Sequence, residues 1–254
     1  MLPGNPETRM INRSEKKSDA IRPVQNAATY TLVVDQLRRL IYLGRYLPGD
    51  KLPPERELAQ QLNVSRATVR EAVRLLEGEN LIRVKRGATG GILVSDQGVG
   101  MDQQKITAEQ EQALRDIFEY RIAIESNTAR CAAQQRSDED LRTMEIAAAE
   151  MDTLAGKSNP DAINIAEYNA ADTRFHLQIA VATRNPHFVR AVEEIRAAMF
   201  LPVGSIFERL SEKVNEHHQP ILEAIAKQDP DSAESLIREH IDVAYQGLKR
   251  FLAR

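Results

Sequence analysis

Four residues in the second half of the chain have the types and spacing to hold a metal ion together. Asp172 and His176 stand four residues apart, on one face of a helical run shared with Ile165, Tyr168 and Ile179. His218 falls on a stripe with Ile221, Leu222 and Ile225, and His240 lies in line with Leu236, Ile237 and Ala244. A single histidine on an apolar face is more often a hydrogen-bonded core residue than a ligand. Three histidines and a carboxylate aimed inward from three helices are another matter, because burying that much polarity without a compensating partner is costly. A divalent ion resolves the cost. Imidazole and carboxylate suit Zn foremost, with Ni, Mn or Fe as alternatives, and four protein ligands leave positions for water or a bound acid if coordination rises to five or six. Pro220, two residues after His218, would kink a helix interior, so either a helix starts just before it or the backbone bends there.

Arg121 lies on the apolar stripe of another helical run, with Leu114, Phe118, Glu125, Thr128 and Ala132. Two readings stand. One is an ion pair with Glu125 one turn along the helix. The other is a clamp on an organic acid, which the planar guanidinium fork grips in two places. Asn169 and Arg174 are lesser candidates for contact with the same acid.

A different chemistry is written between Pro53 and Glu79. Pro53 and Pro54 suit the first turn of a helix, where a missing N–H costs nothing, and Leu58, Ala59 and Leu62 give it one apolar side. Asn63 tolerates the left-handed conformation that ends a helix. Ser65 is a natural N-cap for a second helix, whose Val69, Ala72, Val73 and Leu76 recur at the spacing of a buried face. Arg66, Arg70 and Arg74 then stack at i, i+4, i+8 on another face. With Glu57, Glu71, Glu77 and Glu79 nearby this could be a solvated mixed-charge surface. As the second helix of a helix-turn-helix, it is instead what the DNA major groove requires. Two β-prone runs, Leu81 to Lys85 and Ile92 to Ser95, flank a glycine-bearing turn, Arg86 to Gly91, and predict a hairpin with a basic tip, a wing.

The run LPPERELAQQLNVSRATVREAVRLLEGENLI resembles the DNA-binding signature of the GntR family of bacterial transcription regulators, over roughly residues 28 to 96. The resemblance places Arg56, Ser65, Arg66, Thr68 and Arg70 at operator-contact positions, with Gly87 at the wing tip and Arg86 beside the minor groove. The runs EYRIAIESNTARCAA, NAADTRFHLQIAVATRN, EHHQPILEAI and AESLIREHI are similar to successive motifs of the FCD ligand-sensing domain of the FadR subfamily, over about residues 109 to 250. In metal-binding members the ligands are an Asp, the His four residues later and two further His. They fall here on Asp172, His176, His218 and His240, with His217 as the substitute if the register slips by one. Arg121 is similar to the arginine that faces the ligand pocket in that domain.

The whole chain fits these parts. Its 254 residues suffice for two cores, and 42% hydrophobic with 28% charged residues describes a globular protein. Outside the wing almost no alternating β pattern appears. A single cysteine, Cys131, excludes an intrachain disulfide and suits a reducing cytoplasm. No apolar run of signal-peptide or membrane-spanning length occurs, so a cytoplasmic protein away from any membrane is expected. Residues 1–96 carry 16 Lys and Arg against 11 Asp and Glu, and the remainder 18 against 26. A basic part for phosphates precedes an acidic part with another task.

The expected architecture is mainly α: a mobile tail (1–23), a winged helix-turn-helix domain (24–96), a polar linker (97–107) and an antiparallel all-α bundle of six or seven helices (108–254). The helices of the bundle are marked by Ser137 to Asp140, Asn159-Pro160, Asn185-Pro186 and Asp229-Pro230-Asp231, with a broken region around Pro202 and Gly204. The function expected is that of a homodimeric regulator, a repressor, that binds a near-palindromic double-stranded operator and responds to a small organic acid. Two alternatives remain open: a metal-dependent enzyme with a DNA-binding appendage, and a regulator with a metal-free pocket for a larger ligand such as an acyl thioester.

Overall fold

The computed structural model describes residues 29–87, 90–95, 107–155, 165–200 and 218–252. Among these are nine helices and one antiparallel two-stranded hairpin, a mainly α protein. The expected tail, nearly all of the linker, Asn159-Pro160, Pro202, Gly204 and His217 lie outside the described residues.

The N-terminal part contains α1 (Thr29–Tyr42), α2 (Glu55–Gln61), α3 (Arg66–Gly78) and the strands β1 (Ile82–Lys85) and β2 (Gly91–Val94). Its core joins Val33, Val34 and Leu37 of α1 to Leu58 of α2, Val69, Ala72, Val73 and Leu76 of α3, and Ile82, Ile92 and Val94 of the hairpin. Asn63 takes φ 52° between α2 and α3, as its place in the turn predicts. Ser65 caps α3 by accepting a hydrogen bond from the Thr68 amide at 3.1 Å. Removing such a cap costs about 1 kcal/mol, so Ser65→Ala is expected to lower the unfolding free energy of this unit by that amount, seen as a lower denaturant midpoint, and an unchanged midpoint would contradict the capping role. The hairpin pairs Ile82 with Val94 and Lys85 with Gly91, and Gly87 at its turn has φ 108°.

The end of α1 differs from what its sequence predicts: the periodicity of residues 29–43 puts Leu40 and Ile41 with Val33 and Leu37 on the buried face, and Gly44 ends the helix. Leu40 and Ile41 are only half-buried, while Leu43 just beyond them is buried in a separate cluster with Leu177, Ala180 and Val192 of the C-terminal part. The helix stops at Tyr42, Gly44 takes φ 65°, and Arg45 N–H returns to the Leu40 carbonyl at 2.9 Å. The last turn of α1 thus serves two cores.

The bundle consists of α4 (Ala108–Gln135), α5 (Asp138–Ala155), α6 (Ile165–Ala182), α7 (Pro186–Phe200), α8 (His218–Ala226) and α9 (Pro230–Leu252). Its helices start where the chain supplies caps. Thr107 and Gln110 form a reciprocal capping box on α4, Ser137 and Asp140 bond each other's backbone amides on α5, and Asn185 and Asp229 accept from amides at the starts of α7 and α9. The long α4 packs along α9, α6 and α7, and α5 lies against α6 and α8. Phe118, Phe175, Met144, Ile179, Ile195, Ile221 and Ile237 fill the space between. Because α8 begins at His218, Pro220 sits in its first turn, where an amide would have no helical acceptor. Pro220 therefore leaves His218 in place. None of the described helices is long and apolar enough to cross a membrane.

Candidate metal centre and DNA-facing surface

Asp172 and His176 project from α6, His218 from the first turn of α8 and His240 from the middle of α9. One ligand atom from each lies within 4.8 Å of the others. The three histidines are at most 2% exposed. His218 Nε2 is 2.9 Å from Asp172 Oδ1, and His176 Nε2 is 3.5 Å from the same oxygen. Donors bonded to one ion at about 2 Å lie within about 4 Å of one another, so the four are close to coordinating distance. Burial, with the neighbouring His218 and His176, pushes His240 well below its ordinary pKa and keeps the imidazole neutral, the form that ligates. The donor set, one carboxylate and three imidazoles, fits a divalent transition metal.

A ring of charged side chains holds these donors in position. His176 Nδ1 contacts the Glu125 carboxylate, which turns Nε2 toward the cluster in the carboxylate–histidine arrangement that orients metal ligands. Glu125 also accepts from Arg121 Nε at 2.7 Å. Burial would raise the Glu125 carboxyl, but Arg121, His176 and Arg196 outweigh it and hold it well below the usual carboxylate range. Arg121 thus makes the ion pair with Glu125, and its Nη2 stands 3.4 Å from His176 Nε2.

Sequence reasoning missed Arg196. It is 2% exposed on α7, contacts the second Asp172 oxygen, and reaches Thr173 Oγ1 at 3.2 Å. Burial, and then repulsion from Arg121, lowers it to about 9, still a cation at neutral pH. The signal was present: Arg196 shares a helical stripe with Val192 and Met199, the pattern that singled out Arg121. Asn169 is half-buried, three residues before Asp172. Arg174 lies two residues from each of Asp172 and His176, about 200° around the helix, and pairs with Glu150 of α5 at 2.5 Å. It is not among the side chains brought to the cluster.

On the N-terminal unit, Arg66, Arg70 and Arg74 are exposed along α3 and Arg56 is exposed on α2. Arg70 lies 3.4 Å from Glu55 and Arg74 3.5 Å from Glu71, contacts between exposed groups that hold little energy. The Ser65 and Thr68 hydroxyls are 2.8 Å apart and engaged in the cap. Arg83, Lys85, Arg86 and Gly87 are exposed on the wing.

Residues 29–94 match the family described as bacterial regulatory proteins, gntR family, and residues 116–243 match the FCD domain. The chain is 32% identical to the Exu regulon transcriptional regulator of Escherichia coli (strain K12), over 84% of this chain and 81% of that protein. It is 30% identical to the Uxu operon transcriptional regulator of the same strain, over 87% of each. The solved structure of E. coli McbR/YncC matches with a TM-score of 0.50 at 17% identity, covering 87% of this chain and 98% of that one, a likeness of fold. The Exu and Uxu proteins are transcriptional regulators, which decides against the enzyme reading. The protein belongs to the GntR family: a DNA-binding transcription regulator with a winged helix-turn-helix and an all-helical FCD domain.

Proposed function

We propose that the protein is a homodimeric repressor whose bundle holds one divalent ion, Zn foremost, on Asp172, His176, His218 and His240, and that a small organic acid bound there changes its hold on a near-palindromic operator. The working units are a DNA-binding domain (24–96), a linker (97–107) and an effector-binding and dimerisation domain (108–254). Operator contacts come from Arg56, Ser65, Arg66, Thr68 and Arg70, with Arg86 and Gly87 of the wing.

The observation that carries the effector reading is the charge balance of the buried cluster. Arg121 and Arg196 offset Glu125 and Asp172, while His240 is held neutral. A divalent ion would leave the centre cationic and able to take a carboxylate as a Lewis base. Arg121, already beside His176, supplies the second grip, and Asn169, three residues before Asp172 on α6, is the further contact assigned to the acid.

An operator selected from random DNA by the purified protein permits the test. Operator binding, titrated with a panel of small carboxylates at known metal content, is expected to change with one class of acid. Arg121→Ala is expected to keep the metal and respond poorly to that acid. A protein that takes up no Zn, Ni or Mn and responds to an acyl thioester would establish the metal-free pocket instead.

A further inference from the structure

The last turn of α1 leaves its own domain and seats on the bundle through three different kinds of contact. Arg39 Nη2 meets Glu193 of α7 at 2.7 Å. Leu43, 5% exposed, packs with Leu177 and Ala180 of α6 and Val192 of α7. Gly44 lies so close to α6 that a Cβ on it would stand 2.3 Å from the Ala170 Cβ, and its φ of 65° further disfavours any larger residue.

The seat belongs to the same two helices that carry the buried cluster. Ala170 and Leu177 bracket Asp172 and His176 on α6, and Leu177 directly follows His176. Glu193 precedes Arg196, the arginine that grips Asp172, by three residues on α7. A displacement of α6 against α7 would alter the gap that receives Leu43, since packed side chains transmit strain rather than absorb it.

We propose that this elbow, residues 39–44, is a latch that couples the state of the buried cluster to the orientation of the DNA-binding unit. It requires no contact between effector and DNA-binding domain. Whatever occupies the cluster acts on α6 and α7, and these either hold Leu43 and Arg39 or release them.

Hydrogen exchange of the full-length protein tests the latch. In metal-free protein, Arg39→Glu and Glu193→Arg are each expected to speed exchange in the elbow amides roughly two- to five-fold, the size expected for a half-exposed ion pair. The double reversal, R39E with E193R, should restore the wild-type rate. Ala170→Leu, which fills the space Gly44 leaves, should open the elbow irrespective of charge. If that variant does not fold, the two surface reversals still decide. Single reversals that leave elbow exchange at the wild-type rate would overturn the proposal.

A second arm, which rests on the metal reading, adds Zn alone. Zn should slow exchange in α6 and also change the elbow in wild type, but only α6 in Arg39→Glu, with both responses back in the double reversal. An α6 that responds while the wild-type elbow does not would overturn the coupling. If α6 itself ignores Zn, the metal reading fails instead, and the reversal cycle alone decides the latch.

Discussion

His176→Ala is expected to abolish uptake of the divalent ion proposed for the bundle, and with it all the thermal stabilisation that ion would provide. The side chain sits at the centre of the buried network, with Nε2 toward Asp172 and Nδ1 on Glu125, so its loss removes a donor and the orienting contact together. An ion that binds only the folded protein, at a hundred times its dissociation constant, stabilises by about 2.7 kcal/mol. For a chain of this size that corresponds to roughly 5–10 °C in melting temperature. Wild type should show this rise on adding Zn and lose it with a chelator, whereas His176→Ala should melt at one temperature in both conditions. Elemental analysis supplies the independent reading: about one ion per wild-type chain and none in the variant. A wild-type protein whose melting and composition ignore every divalent metal offered would end the metal-centre reading, whatever the variant does.

Arg66→Ala and Arg70→Ala are each expected to abolish specific operator binding while leaving the fold intact. Both side chains are exposed on α3, and the partner of Arg70, Glu55, lies at 3.4 Å in an exposed pair that gives way at little cost. A good bidentate contact to a base discriminates by about 1–3 kcal/mol. In a two-fold dimer each substitution acts in both half-sites, for about 2–6 kcal/mol, or roughly 30- to 10⁴-fold in specific affinity. The buried face of α3, Val69, Ala72, Val73 and Leu76, is untouched, so circular dichroism and melting should match wild type. Weak, salt-dependent binding to unrelated DNA should persist through the remaining phosphate contacts. Variants that keep wild-type operator affinity would show that another surface reads the sequence.

Local patterns were legible wherever one helix face or one cap decides the outcome. The Ser65 cap, the Asn63 turn, the reciprocal Ser137–Asp140 bonds and the prolines opening α7 and α9 are interactions among residues a few positions apart, and the chain states them directly. The buried stripe of α4, with Arg121 and Glu125 on it, was legible for the same reason. Arg174 shows where this kind of inference runs out: two residues from each of Asp172 and His176, it points the other way, to Glu150.

The helical class, the winged hairpin, the arginine row and the inward-facing Asp and His positions follow from periodicity and residue type, which the sequence by itself determines because each depends on a single element's own repeat. What only the tertiary structure decided is which inward faces meet. Asp172, His176, His218 and His240 come from three helices and approach within 4.8 Å because α6, α8 and α9 pack around α4. Arg196 reaches Asp172 from a fourth helix, and Glu125 takes up His176 as well as Arg121. Leu43 and Gly44 looked like the plain end of a helix, yet they seat on α6 and α7. Helix periodicity tells a side chain which way to face, but the neighbour it faces is chosen by long-range packing, which no local spacing records.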